Sequence, residues 1–398
     1  FVSCSQSGSY LIIWEDTRTG GTSDIYLQEI NASGAVFADG GIIVCNADFD
    51  QRNPGVVLYS ETNNSYLMYW EDLRSSGKEF LWNIYVQSIT TSSIVVDHLT
   101  EWNLVGLPVD VEDGSLSAVY PEGEAGTLYG FAGSYVNVDA LISGEGYWLH
   151  FPNSGTTTIT GSPITSLTVN LTAGWNLISG ISEVTNVTDI SDPGGIVIPG
   201  TAYGFADSYT NASVFTPGHG YWVNASADGD ITISSGGAAK TRSAFTDRTV
   251  KANKLSFNGN DLYFGVSIPE EEMLSYQLPP KPPEGAFDVR FADNMKVAEN
   301  SGVIEIINNS DQLVIAYDIK DDTDWILAGN KEYRLSGSGE IIVSGDITGF
   351  TLNKVPEIPF TYFVSQNYPN PFNPVTRLQF EVGDQINVKL VIYDMLGR

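Results

Sequence analysis

Histidine, cysteine and basic side chains are all scarce in this chain, and each shortage closes off a class of chemistry. Only His98, His150 and His219 are present, they form no His-Glu-x-x-His pattern, and no cysteine cluster accompanies them, so a zinc site has no ligand set. The two cysteines, Cys4 and Cys45, are too few for a disulfide framework and leave room for one optional bridge in the first segment. Lys and Arg number 19 against 48 Asp and Glu, a formal charge of −29 over 398 residues. That charge would repel a phosphate backbone or an anionic membrane surface, which excludes nucleic acid as a partner. No apolar run approaches the roughly 18 residues that cross a bilayer as a helix, so no membrane span is expected. Gly-x-Ser-x-Gly elbows, Gly-rich phosphate loops and dinucleotide fingerprints are missing as well, which leaves nucleophile, base and cofactor unassigned.

What the chain has in abundance is glycine, 40 residues, beside 42% hydrophobic and only 17% charged positions. That balance favours many short strands and tight turns over long helices, and the fold class expected is all-β and multidomain. The chain opens on Phe1 with no charged leader, and Leu396-Gly397-Arg398 follows directly on a strand pattern. We read it as a piece of a longer protein.

Internal repeats set the organisation. The segment SYLIIWEDTRTGGTSDIYLQEI at 9–30 returns as SYLMYWEDLRSSGKEFLWNIYVQSI at 65–89, and Trp14 and Trp70 lie 56 residues apart. Strands are expected near 10–15, 24–30, 41–45 and 55–59, four per period, as in a propeller blade. A closed ring needs at least four blades, about 224 residues at this period, so residues 1–97 are expected to form a partial, propeller-like sheet.

A second repeat follows. Glu101-Trp102-Asn103-Leu104-Val105 answers to Gly174-Trp175-Asn176-Leu177-Ile178, Leu128-Tyr129-Gly130-Phe131-Ala132 to Ala202-Tyr203-Gly204-Phe205-Ala206, and Gly144-Glu145-Gly146-Tyr147-Trp148 to Gly218-His219-Gly220-Tyr221-Trp222. Offsets of 73, 74 and 74 residues mark two tandem copies of one β module, at 98–166 and 167–236. Residues 237–253 read as a linker or crossing segment. Alternation resumes over 254–357, where Leu313, Ile315, Tyr317 and Ile319 share one strand face and Ile341 and Val343 another, the pattern of a β-sandwich. Pro279-Pro280-Lys281-Pro282-Pro283 cannot donate ladder hydrogen bonds and must be an extended connector or edge.

The end of the chain, 358–398, carries the most specific pattern. Asn367, Tyr368, Pro369, Asn370, Pro371, Phe372, Asn373 and Pro374 spell NYPNPFNP, followed by alternating Leu378, Phe380 and Val382, then Val388, Leu390 and Ile392, and by Tyr393-Asp394-Met395-Leu396-Gly397-Arg398. The three prolines force a stiff extended entry, and the two alternating runs are expected to pair across Gly383-Asp384. This stretch resembles the start of the type A C-terminal sorting domain of the bacterial type IX secretion system, over about 36 residues. The family's later strands and basic terminal residues are absent. The resemblance implies a diderm bacterium, passage across the outer membrane through the type IX machinery, and an extracellular or outer-membrane-surface location. It also implies removal of the tail, for which 355–361 is the natural exposed linker. The preceding sandwich, with LPPKPPEGAFDVRF at 278–291, is similar to the domain that often stands before such a tail.

Three clusters are candidates for chemistry. Glu15-Asp16 and Glu71-Asp72 suggest a glycosidase pair, but neighbours on a strand point to opposite faces and cannot converge. Asp16 and Asp72 suit strand ends, bonding the backbone two residues on near Arg18 and Arg74. In the Tyr147-Trp148 and Tyr221-Trp222 pairs one ring should face in and the other out, with Trp148 and Trp222 in the core. Tyr147 and Tyr221, together with Tyr135 and Tyr209, are therefore the candidate glycan-stacking residues. His219 stands where Glu145 does between the same two glycines, which argues against a shared catalytic role. Asp318, Asp321, Asp322 and Asp324 are the candidate calcium ligands, although they match no EF-hand loop; no other cofactor is expected. Together these features point to a non-catalytic, secreted multimodular β-protein for adhesion or ligand display, with surface glycans as candidate partners. The alternative is an accessory region of a secreted hydrolase whose catalytic domain lies upstream.

Overall fold

Successive side chains of a strand point to opposite faces, and burial alternates accordingly along Tyr10–Trp14 and along Ser92–His98. The structure is a computed structural model that describes residues 2–4, 10–18, 22–30, 42–48, 50–60, 65–72, 83–90, 92–236, 245–307, 312–321, 323–344, 347–355, 363–381, 389–393 and 396–397. The fold is all-β and multidomain. It is a series of small sheets, antiparallel except for one pair between Asn260–Phe264 and Val297–Ala298, and no barrel closes among the described residues.

The first repeat is a sheet of Val2–Cys4, Tyr10–Asp16, Asp24–Ile30 and Ile42–Cys45 in chain order, and the second joins Gln51–Ser60, Ser65–Asp72 and Asn83–Thr90. Ser92–His98, most of which falls in the segment 1–97 read as propeller-like, pairs with Gly155–Pro163 of the next module. Leu11, Ile13, Ile25 and Leu27 of the first sheet pack against Val56, Tyr66, Met68 and Trp70 of the second. At roughly 1.5–3 kcal/mol for each large side chain buried, this shared core is what holds the two repeats together. Cys45 sits buried in it, its thiol 3.8 Å from the Asp72 carboxylate, and the side chain of Cys4 lies outside what the structure describes.

The tandem modules share one strand order. Glu101–Gly106, Gly146–Phe151, Tyr129–Phe131 and Tyr135–Asn137 neighbour each other in the first copy, as Gly174–Ser179, Gly220–Ala225, Tyr203–Phe205 and Tyr209–Asn211 do in the second. The registers match too, with Tyr129 opposite Trp148 and Tyr203 opposite Trp222. Each copy has its own core, and a third cluster made of Trp102, Leu104, Trp148, Leu177, Tyr203 and Trp222 lies between them.

In the sandwich, two five-stranded sheets enclose a core that includes Phe257, Phe264, Ile304, Leu313, Ile315, Trp325 and Leu352. The tail pairs differently from the expectation. Phe363–Val364 runs against Phe380–Glu381, so the hairpin encloses the proline motif instead of following it. Val382, Val388 and the expected turn at Gly383-Asp384 lie outside the described residues, while Leu390 and Ile392 are exposed and in no strand.

Candidate functional site

The glycines of the Gly-x-Gly-Tyr-Trp blocks bring the two copies together. Gly144 and Gly218 adopt φ of 92° and 84°, a left-handed turn that favours glycine. Across the seam Ser179 N donates to Gly144 O (3.1 Å) and Gly106 N to Gly218 O (3.0 Å), equivalent bonds with the copies exchanged. A Cβ at Gly146 would stand 2.5 Å from Ile178 O and one at Gly220 2.8 Å from Val105 O. The copies are therefore related by a pseudo-twofold axis at which backbone meets backbone.

The rings obey the same symmetry. Trp148 meets Phe205 and Trp222 meets Phe131 edge to face, both at 4.7 Å between centroids, while Trp102 and Trp175 stand edge-on to Trp148 and Trp222 at 6.4 and 6.3 Å. Such pairs contribute about 0.5–1.5 kcal/mol each beyond burial, and the Trp148–Phe205 and Trp222–Phe131 pairs join one copy to the other. Trp148 Nε1 donates to Tyr135 Oη (3.2 Å), whereas Trp222 Nε1 has no hydrogen-bond partner among the described residues.

Of the four tyrosines expected to stack on glycans, two are corrected outright. Tyr147 is 1% exposed and Tyr221 6%. Tyr147 Oη accepts from Ile142 N (3.0 Å) and donates to Glu145 (2.8 Å), and Tyr221 Oη accepts from Thr216 N (2.8 Å). Their strands, Gly146–Phe151 and Gly220–Ala225, are covered on both faces, so one ring in and one ring out does not apply. Tyr135 and Tyr209 are half-buried, and their hydroxyls donate to Lys281 O and Pro280 O, both at 2.7 Å. Burial pushes the Tyr135 phenol up to about 12 and raises Tyr209 well above the ordinary value. The extended Pro279–Pro283 run is thus a strap over the ring cluster. Arg290, fully buried and paired with Asp288 (2.6 Å), anchors it by donating to Pro279 O (2.8 Å). Lys296, which sequence reasoning did not single out, closes the same junction. Its amine donates to Asn211 (2.8 Å), lies 5.5 Å from the ring centroids of Tyr203 and Tyr276, and is pulled down to about 8 by burial.

The acidic cluster is dispersed into local bonding. Asp321 accepts from Asn253 Nδ2 (3.0 Å), Thr323 N (3.2 Å) and Trp325 Nε1 (3.4 Å), and Asp324 pairs with Arg334. Asp318 lies in the strand Gln312–Asp318, and Asp322 is outside the described residues. Among the described residues no group of three or more metal-ligating side chains is assembled.

Each repeat ties its tryptophan to the aspartate two residues on. Trp14 donates to Asp16 (3.1 Å) and stacks on Tyr26, and Trp70 donates to Asp72 (3.3 Å) and stacks on Tyr85. Arg18 N donates to Asp16 (2.9 Å), and bonds from the Arg18 guanidinium and then Trp14 hold the Asp16 carboxyl well below the usual range. Arg74 lies outside the described residues.

What the sequence left hidden is that Asn53 bridges Glu15 and Glu71, one repeat apart. A bulge at Asn53-Pro54 turns Asn53 to φ 51°, so that its N–H donates to Glu15 (3.0 Å) and its carboxamide to Glu71 (2.8 Å). Ile13, Trp14, Glu15, Asn53, Pro54 and Tyr69 line the open groove that results. Aromatic edges beside carboxylate and amide oxygens suit a hydroxyl-bearing ligand, for which such oxygens are acceptors. Asn53-Pro54 was the available signal, a turn dipeptide inside a strand pattern.

At the tail, Tyr368 and Arg377 exchange backbone bonds, both 2.9 Å, and close a loop over the proline motif. Asn367 Nδ2 donates to Thr376 Oγ1 (3.1 Å), which donates to Pro369 O (3.0 Å). Tyr368 is 80% exposed, and Pro369, Asn370, Pro371, Phe372, Asn373 and Pro374 are exposed with it. Comparison with family models, with curated proteins and with solved structures gave no match for the chain.

Proposed function

We propose that this chain is a multimodular β-protein exported by the type IX secretion system of a diderm bacterium and displayed outside the cell for adhesion or ligand binding, without catalysis. The observation that carries the reading is the NYPNPFNP loop, held at its base by the Tyr368–Arg377 exchange and offering Tyr368 and Phe372 to solvent. An address read by a receptor must be reachable, and apolar side chains left outside any core are the natural contacts for one. Ligand display is supported by the open groove at Trp14, Glu15 and Asn53, whose one lining carboxylate, Glu15, accepts from Asn53 N. Surface glycans, rich in hydroxyl donors, are the matching ligand class. The rings of the tandem modules are committed to each other and to the Pro279–Pro283 strap, so recognition falls to the repeat pair.

Replacing Tyr368, Pro369, Pro371 and Pro374 by alanine in the chromosomal gene tests the export reading. The altered protein is expected to accumulate in the periplasm and to vanish from the cell surface and medium. Surface display at the unaltered level would reject it.

A further inference from the structure

Lys296 is the only buried lysine among the described residues, 6% exposed, and its amine rests on a carboxamide, Asn211 Oδ1 at 2.8 Å. Lys254 and Lys281, by contrast, rest on the carboxylates of Asp261 and Glu305. An amine held away from water with no carboxylate in contact gives up its proton readily, and burial here outweighs the attraction of Asp247. The other titratable groups around it, Tyr203, Tyr263 and Tyr276, are phenols that burial raises and keeps uncharged. At neutral pH a share of the chains therefore presents a free lone pair to an amide carbon, as a nucleophile does to its target. With a C=O bond about 1.23 Å long, that carbon lies within about 4 Å of Nζ, a short slide of a flexible stem from the roughly 3–3.5 Å of reacting atoms.

The tandem repeat supplies a comparison. Asn137 and Asn211 hold equivalent positions, opposite Tyr129 and Tyr203, and donate alike to Gly126 O and Gly200 O, both at 2.7 Å. Asn137 bonds only to backbone among the described residues, whereas Asn211 has an amine on its oxygen. Tyr203 Oη, buried beside that carboxamide, has no hydrogen-bond partner among the described residues and is free to donate.

We propose that Lys296 and Asn211 join in an intramolecular isopeptide bond, a covalent rivet between the second tandem module and the sandwich. Lys296 Nζ attacks Asn211 Cγ; the Nζ–Cγ bond forms and the Cγ–Nδ2 bond breaks. The Tyr203 hydroxyl donates to the oxygen on which charge develops, and the proton shed by the amine leaves with Nδ2 as ammonia. Nothing is oxidised or reduced and no co-reactant is consumed. Asn211 is exposed on the edge strand Tyr209–Asn211, which gives ammonia its way out. A phenol is a poor acid beside a carboxyl group, so the step is slow relative to folding and the freshly folded chain carries the free amine. The bond ties positions 85 residues apart and does not depend on the export or ligand reading.

Tandem mass spectrometry on digests of the whole chain, taken at intervals over several days, tests this. The expected product is one peptide joined from Lys296 to Asn211, lighter by one ammonia than the two separate peptides together. It should accumulate about tenfold faster at pH 9 than at pH 7, because the neutral fraction of an amine near 8 rises from about a tenth to about nine-tenths. Denaturant should abolish it, since only the fold holds the pair together. Tyr203→Phe deletes a hydroxyl that has no partner, so an unchanged near-ultraviolet circular dichroism spectrum and a slower reaction are expected. Two separate peptides and no joined one at the end of the pH 9 series would overturn the proposal. So would a joined peptide that forms at one rate at both pH values, or one that forms equally well in the unfolded chain. A Tyr203→Phe rate equal to that of the unaltered chain would overturn the part given to the hydroxyl.

Discussion

Replacing Gly146 by alanine should force apart the seam between the tandem copies. Neither Gly146 nor Gly130 of the same sheet has a positive φ, so neither is needed for backbone freedom. They differ in what a Cβ would meet. At Gly146 it would lie 2.5 Å from Ile178 O and 3.0 Å from the carbon behind it, backbone atoms that no rotamer change can move. At Gly130 the nearest atom is Tyr147 Cε1 at 3.5 Å, an ordinary contact. Overpacking costs about 1–3 kcal/mol even where side chains can yield. Prising the seam also weakens the Ser179–Gly144 bond, worth about 1 kcal/mol, so Gly146→Ala is expected to cost about 2–4 kcal/mol. Gly130→Ala should be neutral or stabilise by about 0.5 kcal/mol, through loss of freedom in the unfolded chain. Thermal unfolding of the whole chain, followed by the near-ultraviolet signal of the packed tryptophans, should show the first variant melting about 5–15 °C lower and the second unchanged. Equal melting temperatures would refute the backbone-to-backbone seam.

Lys296 gives a pH prediction. Its folded value near 8 lies below the ordinary 10.5, so the unfolded chain holds the proton more tightly and stability rises with pH from about 8 toward 10.5. At 1.36 kcal/mol per unit, the unaltered chain should gain about 2 kcal/mol over Lys296→Met between pH 7 and 9.5; a constant difference between the two would contradict this. Trp148→Phe loses a bond to Tyr135 that Trp222→Phe does not, so the first should cost about 1 kcal/mol more in denaturant titration, and equal costs would count against the asymmetry. Asn53→Ala removes the carboxamide that reaches Glu71 and strains a left-handed position, for a loss of about 1–2 kcal/mol, whereas Asn53→Gly keeps the bond to Glu15 without strain and should lose less. The reverse order would mean that the bulge does not clip the repeats.

Much of the fold could be read from residue order. The expected strands at 10–15 and 24–30 correspond to Tyr10–Asp16, where burial alternates over Tyr10–Trp14 and alternation reports it, and to Asp24–Ile30, which is buried from Asp24 to Gln28 and was legible from the turn residues before it and from its repeat at 83–89. The same rule failed at Tyr147 and Tyr221. Their strands lie between a module core and the ring cluster, and a strand buried on both faces carries no alternation to read. Glu15 and Glu71 were dismissed because sequence neighbours diverge. The bridge between them runs through Asn53, 38 residues from one and 18 from the other, and depends on a bulge whose effect is felt only once two sheets are stacked. The strap at Pro279–Pro283 was legible as extended chain, but not its target, since Tyr135 and Tyr209 lie 146 and 71 residues from the carbonyls they reach.

That the rings bind copy to copy is tested most directly by a double-mutant cycle on Phe131 and Trp222, 4.7 Å apart across the pseudo-twofold axis. The stabilities of Phe131→Leu, Trp222→Leu and the double variant should reveal a favourable coupling of about 0.5–1.5 kcal/mol between residues of different copies. Strictly additive losses would contradict it, and would return these aromatic faces to the search for a ligand.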